Sequence, residues 1–146
     1  MLISQAEVFK NLGQGALETV RGYASEKTHG AQEVVFREGD RAENFYALVD
    51  GKVHVVIGEE EDICFAVERP GEVFGWSALI EPYQYRDSAH CLTPAKLIEI
   101  PREAIEKVLH DYPAEGATIF RNLAAIATER LYEANKRTTP QADPWR

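Results

Sequence analysis

The residues best placed to do chemistry lie in "GEVFGWSALIEPYQYRDSAH", positions 71 to 90. Gly71 and Gly75 permit a tight turn, Ser77 to Ile80 fits one helical turn, and Pro82 prevents its continuation. A glycine turn that enters a short helix presents unpaired backbone N–H groups, which together with the helix dipole favour an anion. Arg86, ten positions beyond Trp76, adds a full charge and a bidentate donor fork. The set could hold one phosphate or carboxylate. The bland alternative for Arg86 is an ion pair with Asp87 or another carboxylate.

Little else in the chain is reactive. Cys64 and Cys91 sit in apolar surroundings without CxxC spacing and read as small core side chains. His29, His54, His90 and His110 are spread too evenly for a metal motif, although distant residues can meet in a fold. The paired histidines and downstream glutamate of a metal-binding cupin are missing, so no metal ligands are expected. Gly75, Trp76 and Ser77 begin like a GxSxG nucleophile elbow, but Leu79 stands where the second glycine belongs. Ser77 therefore reads as a helix cap, and neither catalytic residues nor enzymatic activity are expected.

The elements that must position this stretch follow from period and charge. With 45% hydrophobic and 27% charged residues the chain has the composition of a globular domain. A net charge of −8 repels phosphate polymers, so no direct nucleic-acid partner is expected. No apolar run of roughly 18 residues and no signal-peptide pattern is present, which predicts a cytoplasmic chain without a membrane partner. Ser4 and Glu7 fit a capping box ahead of one or two short helices over 4 to 25. Phe45, Ala47 and Val49, then Asp50-Gly51, then Val53, Val55 and Ile57 predict a β-hairpin. Gly58 and the acidic run Glu59 to Asp62 read as a solvated turn. Strands follow at Ile63 to Val67 and near 86 to 92 and 95 to 100. Short, closely spaced strands favour a small barrel or jelly roll.

Beyond Pro101, Ala104, Ile105, Val108 and Leu109 mark a short helix that stops before Pro113. A longer one runs from Ala114 to Lys136, with Ile119, Phe120, Leu123, Ala124, Ile126, Ala127 and Leu131 on a wide apolar face. At ~1.5 Å per residue it reaches roughly 34 Å, more than a small barrel needs for cover. The excess implies a partner helix and a homodimer, with Leu123 on the shared face. Residues 1 to 137 read as one domain and 138 to 146, in the tail TTPQADPWR, as flexible.

Three pieces, "FREGDRAENFYALVDGKVHV" at 36 to 55, "PGEVFGWSAL" at 70 to 79 and "YRDSA" at 85 to 89, carry a resemblance to a known family. They resemble the cyclic nucleotide-binding domain of the catabolite-activator and protein-kinase regulatory-subunit type, over about Phe9 to Lys136. The resemblance implies a mainly β fold with flanking helices: a double-stranded β-helix, or jelly roll, with an N-terminal helix and a long C-terminal helix. It implies that Gly75 is the glycine of the phosphate-binding cassette, that Ser77, Ala78 and Leu79 form its short helix, and that Arg86 neutralises the cyclic phosphate. The family's acidic ribose ligand falls at Trp76, and Asp87 stands where a serine or threonine hydroxyl is common. Ser88 could replace that hydroxyl if a shift in the strand turned it inward.

Trp76 thus admits three roles: stacking on a flat ligand, filling the ribose space, or packing over the barrel mouth. Tyr83 and Tyr85 read as rim or solvent-facing residues. The resemblance implies a sensor of a small anionic ligand, with cAMP or cGMP the first candidates, no further cofactor, and a response carried by the C-terminal helix to an unknown downstream protein. The family's transcription factors add a helix-turn-helix after this helix, and its absence here removes the expectation of promoter binding. The alternative is a degenerate domain, closed by Trp76, that serves dimerisation or docking.

Overall fold

Helix α1 (Gln14–Tyr23) buries Ala16, Leu17 and Val20, the stripe that its period predicts, and follows two 3-10 turns at Ile3–Gln5 and Glu7–Phe9. The computed structural model describes residues 3–58 and 62–138; the acidic run 59–61 and the tail from 139 onward lie outside the described residues. The Ser4–Glu7 capping box does not form. The Glu7–Phe9 turn has Ala6 at its N-cap with no side-chain bond. The Glu7 carboxylate instead accepts the Val73 N–H at 2.7 Å, a long-range donor that outcompetes the local one.

Among the described residues eight strands make two antiparallel sheets, as expected for the roll. They are β1 (Ser25–His29), β2 (Val34–Phe36), β3 (Asn44–Asp50), β4 (Val53–Ile57), β5 (Asp62–Val67), β6 (Val73–Phe74), β7 (Ser88–Cys91) and β8 (Ala95–Pro101). One sheet runs β1-β8-β3-β6 and the other β2-β7-β4-β5. Val53 and Val55 of β4 and Ala89 and Cys91 of β7 point inward and are buried, the alternation that a half-solvated sheet requires.

The expected hairpin between β3 and β4 is a corner instead. β3 pairs with β8 and β6, whereas β4 pairs with β5 and β7. Gly51 turns it at φ +103°, where an added Cβ would lie 2.5 Å from the Pro94 carbonyl oxygen. Only glycine fits there. The true hairpin comes one strand later, β4 with β5, and carries a bulge between Val55 and Val56. β1, sequence SEKTH, has no apolar alternation to announce it: four of its five residues are exposed, and it forms an edge.

Helix α2 (Arg102–Asp111) buries Ala104, Ile105 and Val108, and α3 (Pro113–Thr138) runs for 26 residues. Ile119 and Leu123 are in the core, with Phe120 and Ile126 packed against it. Leu123 is therefore occupied within one chain. Among the described residues the exposed large hydrophobic side chains of α3 lie further on, at Leu131 (62%) and Tyr132 (58%). Among the described residues no helix is long and apolar enough to cross a membrane.

Candidate functional site

The cassette is built on two left-handed glycines. Gly71, at φ +94°, donates its N–H to the Leu48 carbonyl and accepts from the Glu7 N–H, both at 2.8 Å. A Cβ there would meet the Gln5 carbonyl oxygen at 2.5 Å. Gly75, at φ +80°, caps the 3-10 helix Trp76–Leu79, and a Cβ on it would press on the Phe36 ring at 3.0 Å. The turn and short helix expected from sequence are thus present, with Ala78 and Leu79 buried and Ser77 partly so. The Ser77 hydroxyl has no hydrogen-bond partner among the described residues, so it neither caps the helix nor meets a base.

Below Gly75 lies a layer of rings. Tyr85 stacks on Phe36 with centroids 3.8 Å apart, and Tyr46 lies 5.5 Å from Phe74. The Tyr85 hydroxyl donates to the Asn44 carbonyl, and burial pushes its pKa up to about 12. Tyr85 is thus a core residue, 5% exposed, rather than a rim residue. Because it is anchored, the next residues are held at the roll's surface. Arg86 is exposed and has no hydrogen bond or ion pair among the described residues. Its guanidinium does not pair with Asp87.

Asp87 is partly buried, and burial, aided by the negative charge of Glu38, raises its pKa from 3.8 to about 6. Ser88 opens β7, and its Oγ accepts the Glu38 N–H at 2.8 Å. Glu38 in turn accepts the Gly58 N–H at 3.1 Å. The stretch therefore gathers one uncommitted cation, one carboxyl group that resists ionisation and one hydroxyl tied to the β2–β3 loop.

Trp76 is partly buried, parallel to Phe65 of β5 within 5° at a centroid distance of 6.1 Å. Arg130 of α3 lies over both rings, 4.2 Å from the Phe65 centroid and 5.8 Å from that of Trp76. Its Nη2 pairs with Glu7 at 3.3 Å and Glu72 at 3.4 Å, while its buried Nη1 has no hydrogen-bond partner. Glu72 also accepts the N–H groups of Glu68 and Arg69, at 3.0 and 2.8 Å. Burial raises the Glu7 pKa, against the opposing pull of the Val73 N–H and Arg130. Arg130 escapes a reading of motifs because it belongs to none. Its signal is periodicity: Ile119, Leu123, Ile126 and Arg130 follow one helical stripe, so the arginine is directed at the roll.

A second tether holds the other end of the cassette. Arg102, first residue of α2, donates through Nε to the Ala78 carbonyl at 2.7 Å and through Nη2 to the Ala42 carbonyl. Its guanidinium stacks 3.8 Å from the centroid of Tyr83. A cavity of about 80 Å3, lined by Leu79, Tyr83, Ile105, Leu109 and Phe120 among others, marks where the cassette helix, α2 and α3 meet.

A double sheet with a glycine-capped short helix between β6 and β7, and a long helix returning over it, defines a double-stranded β-helix, or jelly roll. The chain belongs to the cyclic nucleotide-binding domain family, whose sequence model matches residues 26–112. The global nitrogen regulator of a Nostoc species is 29% identical over 143 residues, covering 91% of this chain and 62% of that protein. The chain therefore spans less than two thirds of that relative's length. A putative cyclic nucleotide-binding protein from Geobacter metallireducens superposes with a TM-score of 0.75 at 28% identity, covering 85% of this chain and 91% of that one. The regulatory domain of Toxoplasma gondii PKA, crystallised with cAMP, superposes at 0.66 with 27% identity, covering 73% and 41%.

Proposed function

We propose that this domain is a regulatory sensor that receives a small anionic ligand, with cAMP or cGMP the first candidates, and passes its occupancy to α3. The observation that carries the reading is the placement of Arg130, which ties α3 to Trp76 at the start of the cassette helix and to Glu72 in the turn before it. A ligand that moved Trp76 would have to change what Arg130 touches, and so would favour one arrangement of α3 over another. Gly75, Ser77, Ala78 and Leu79 would supply the cradle, Arg86 the charge, and Ser88 a hydroxyl near the anion. Asp87 would oppose the anion when ionised. Output would pass through α3 to a second copy or to another protein.

A second reading, a closed docking module, is favoured by the Trp76 indole lying parallel to Phe65 where the family places an acidic ribose ligand. One titration separates the two. In the Trp145→Phe protein, Trp76 is the sole indole, and cAMP or cGMP should change its fluorescence together with a calorimetric signal. A flat response to both nucleotides by both methods would leave the docking module.

A further inference from the structure

His54 and His90 are 36 positions apart in the chain, yet the β4–β7 register places them directly opposite each other. Their ring centroids are 5.9 Å apart with planes inclined at 69°. Two imidazoles that share one tetrahedral ion, each with its nitrogen at about 2.0–2.1 Å, have centroids roughly 5 Å apart. Small side-chain rotations close the difference. The same row continues to Val34 on β2 and Ala66 on β5. It faces away from the core, since the neighbours Val53, Val55, Ala89 and Cys91 are buried inside the roll.

Both rings are chemically uncommitted. Among the described residues His54 and His90 make no hydrogen bond or ion pair, and their only recorded contact of this kind is with each other. His29 and His110, by contrast, are engaged by Glu33 and Asp111. No group of three or more ligating side chains is assembled among the described residues, so any ion here would keep water in its remaining positions. Two imidazoles without a carboxylate select borderline transition metals over Ca2+ or Mg2+, which require oxygen ligands.

We propose that His54 and His90 form a bidentate site for a divalent transition metal such as Zn2+ or Ni2+, stapling β4 to β7 on the outer face of the second sheet. The test is calorimetric titration of EDTA-stripped full chain with each ion. One ion should bind per chain, and no uptake of either ion would overturn the site. His54→Gln and His90→Gln should each weaken binding at least about tenfold, and the double variant scarcely more, because losing either ring already breaks the chelate. His29→Gln and His110→Gln should bind as wild type does. Single variants that each lose only part of the stoichiometry, or a double variant that binds normally, would overturn the site. In unaltered protein, substoichiometric Ni2+ should broaden the His54 and His90 ring resonances before those of His29 and His110; equal broadening of all four would overturn it too.

Discussion

Arg86 and Arg130 are two cations at the cassette that the fold treats in opposite ways. Arg86 follows an anchored tyrosine and extends into solvent with no described partner. The Arg130 side chain is only 13% exposed, spans two aromatic faces and serves two carboxylates. The difference teaches that a cation needed for internal order is surrounded by the chain's own acceptors, whereas the one proposed here for a ligand is left unpaired. Sequence motif marked Arg86; Arg130 lies on a helical stripe and belongs to no motif.

Breaking the internal cation should have the largest effect. Arg130→Leu leaves Glu7 and Glu72 without their shared partner and should cost about 2–4 kcal/mol in urea unfolding. A change below about 0.5 kcal/mol would mean that solvent already compensates both carboxylates. Arg102→Met comes next, at about 1–3 kcal/mol, because it orphans the Ala78 and Ala42 carbonyls. Its particular signature is faster amide exchange across Trp76–Leu79, and unchanged exchange there would deny the tether.

Arg86→Leu sharpens the contrast from the other side. Stability should hold within about 0.5 kcal/mol, as for a solvated side chain, while cyclic nucleotide affinity falls at least about tenfold, or ~1.4 kcal/mol. Equal affinities in wild type and variant would remove Arg86 from the site.

The smallest effect belongs to Asp87. Its folded-state pKa of about 6 lies above the ordinary 3.8, so the native state holds this proton more tightly than the unfolded chain does. Stability from this group is present at low pH and is lost as pH rises through that interval. Asp87→Asn should flatten that slope in denaturant titrations and make nucleotide binding less dependent on pH between these values. An unaltered slope would place the effect on another carboxyl group.

Much of the architecture was legible because burial imposes a period. Val53, Val55, Ile105 and Ile119 each stand where alternation or a helical stripe requires an apolar residue. β1 was not legible: its residues are polar, and strand pairing with β8 alone defines it. The β3–β4 corner was misread because Asp50-Gly51 suits a hairpin equally well, and only the close Pro94–Ala95 backbone reveals why glycine is needed. At the cassette, Gly75 and the short helix were visible as turn chemistry. Tyr85 was misplaced because its ring stack with Phe36 joins residues far apart in the chain. Arg130 and Arg102 were missed for a related reason: their partners are backbone carbonyls, carboxylates and rings contributed from distant segments.

The strand order also dictates a sequence of events. β8 lies between β1 and β3, pairing Glu99 with Ser25 on one side and Tyr46 on the other. During synthesis β1 has no strand to pair with, and β3 has only the two-residue β6 beside it, until β8 emerges. Only the β4–β5 hairpin can close promptly from adjacent sequence, on the scale of microseconds. The first sheet is dominated by distant pairings, which are slow to form and leave edges open to aggregation in the interim. A ribosome-stalled chain ending before Ala95 would therefore expose β1 as an unpaired ribbon and leave one edge of β3 open, the form in which a nascent-chain chaperone would meet it.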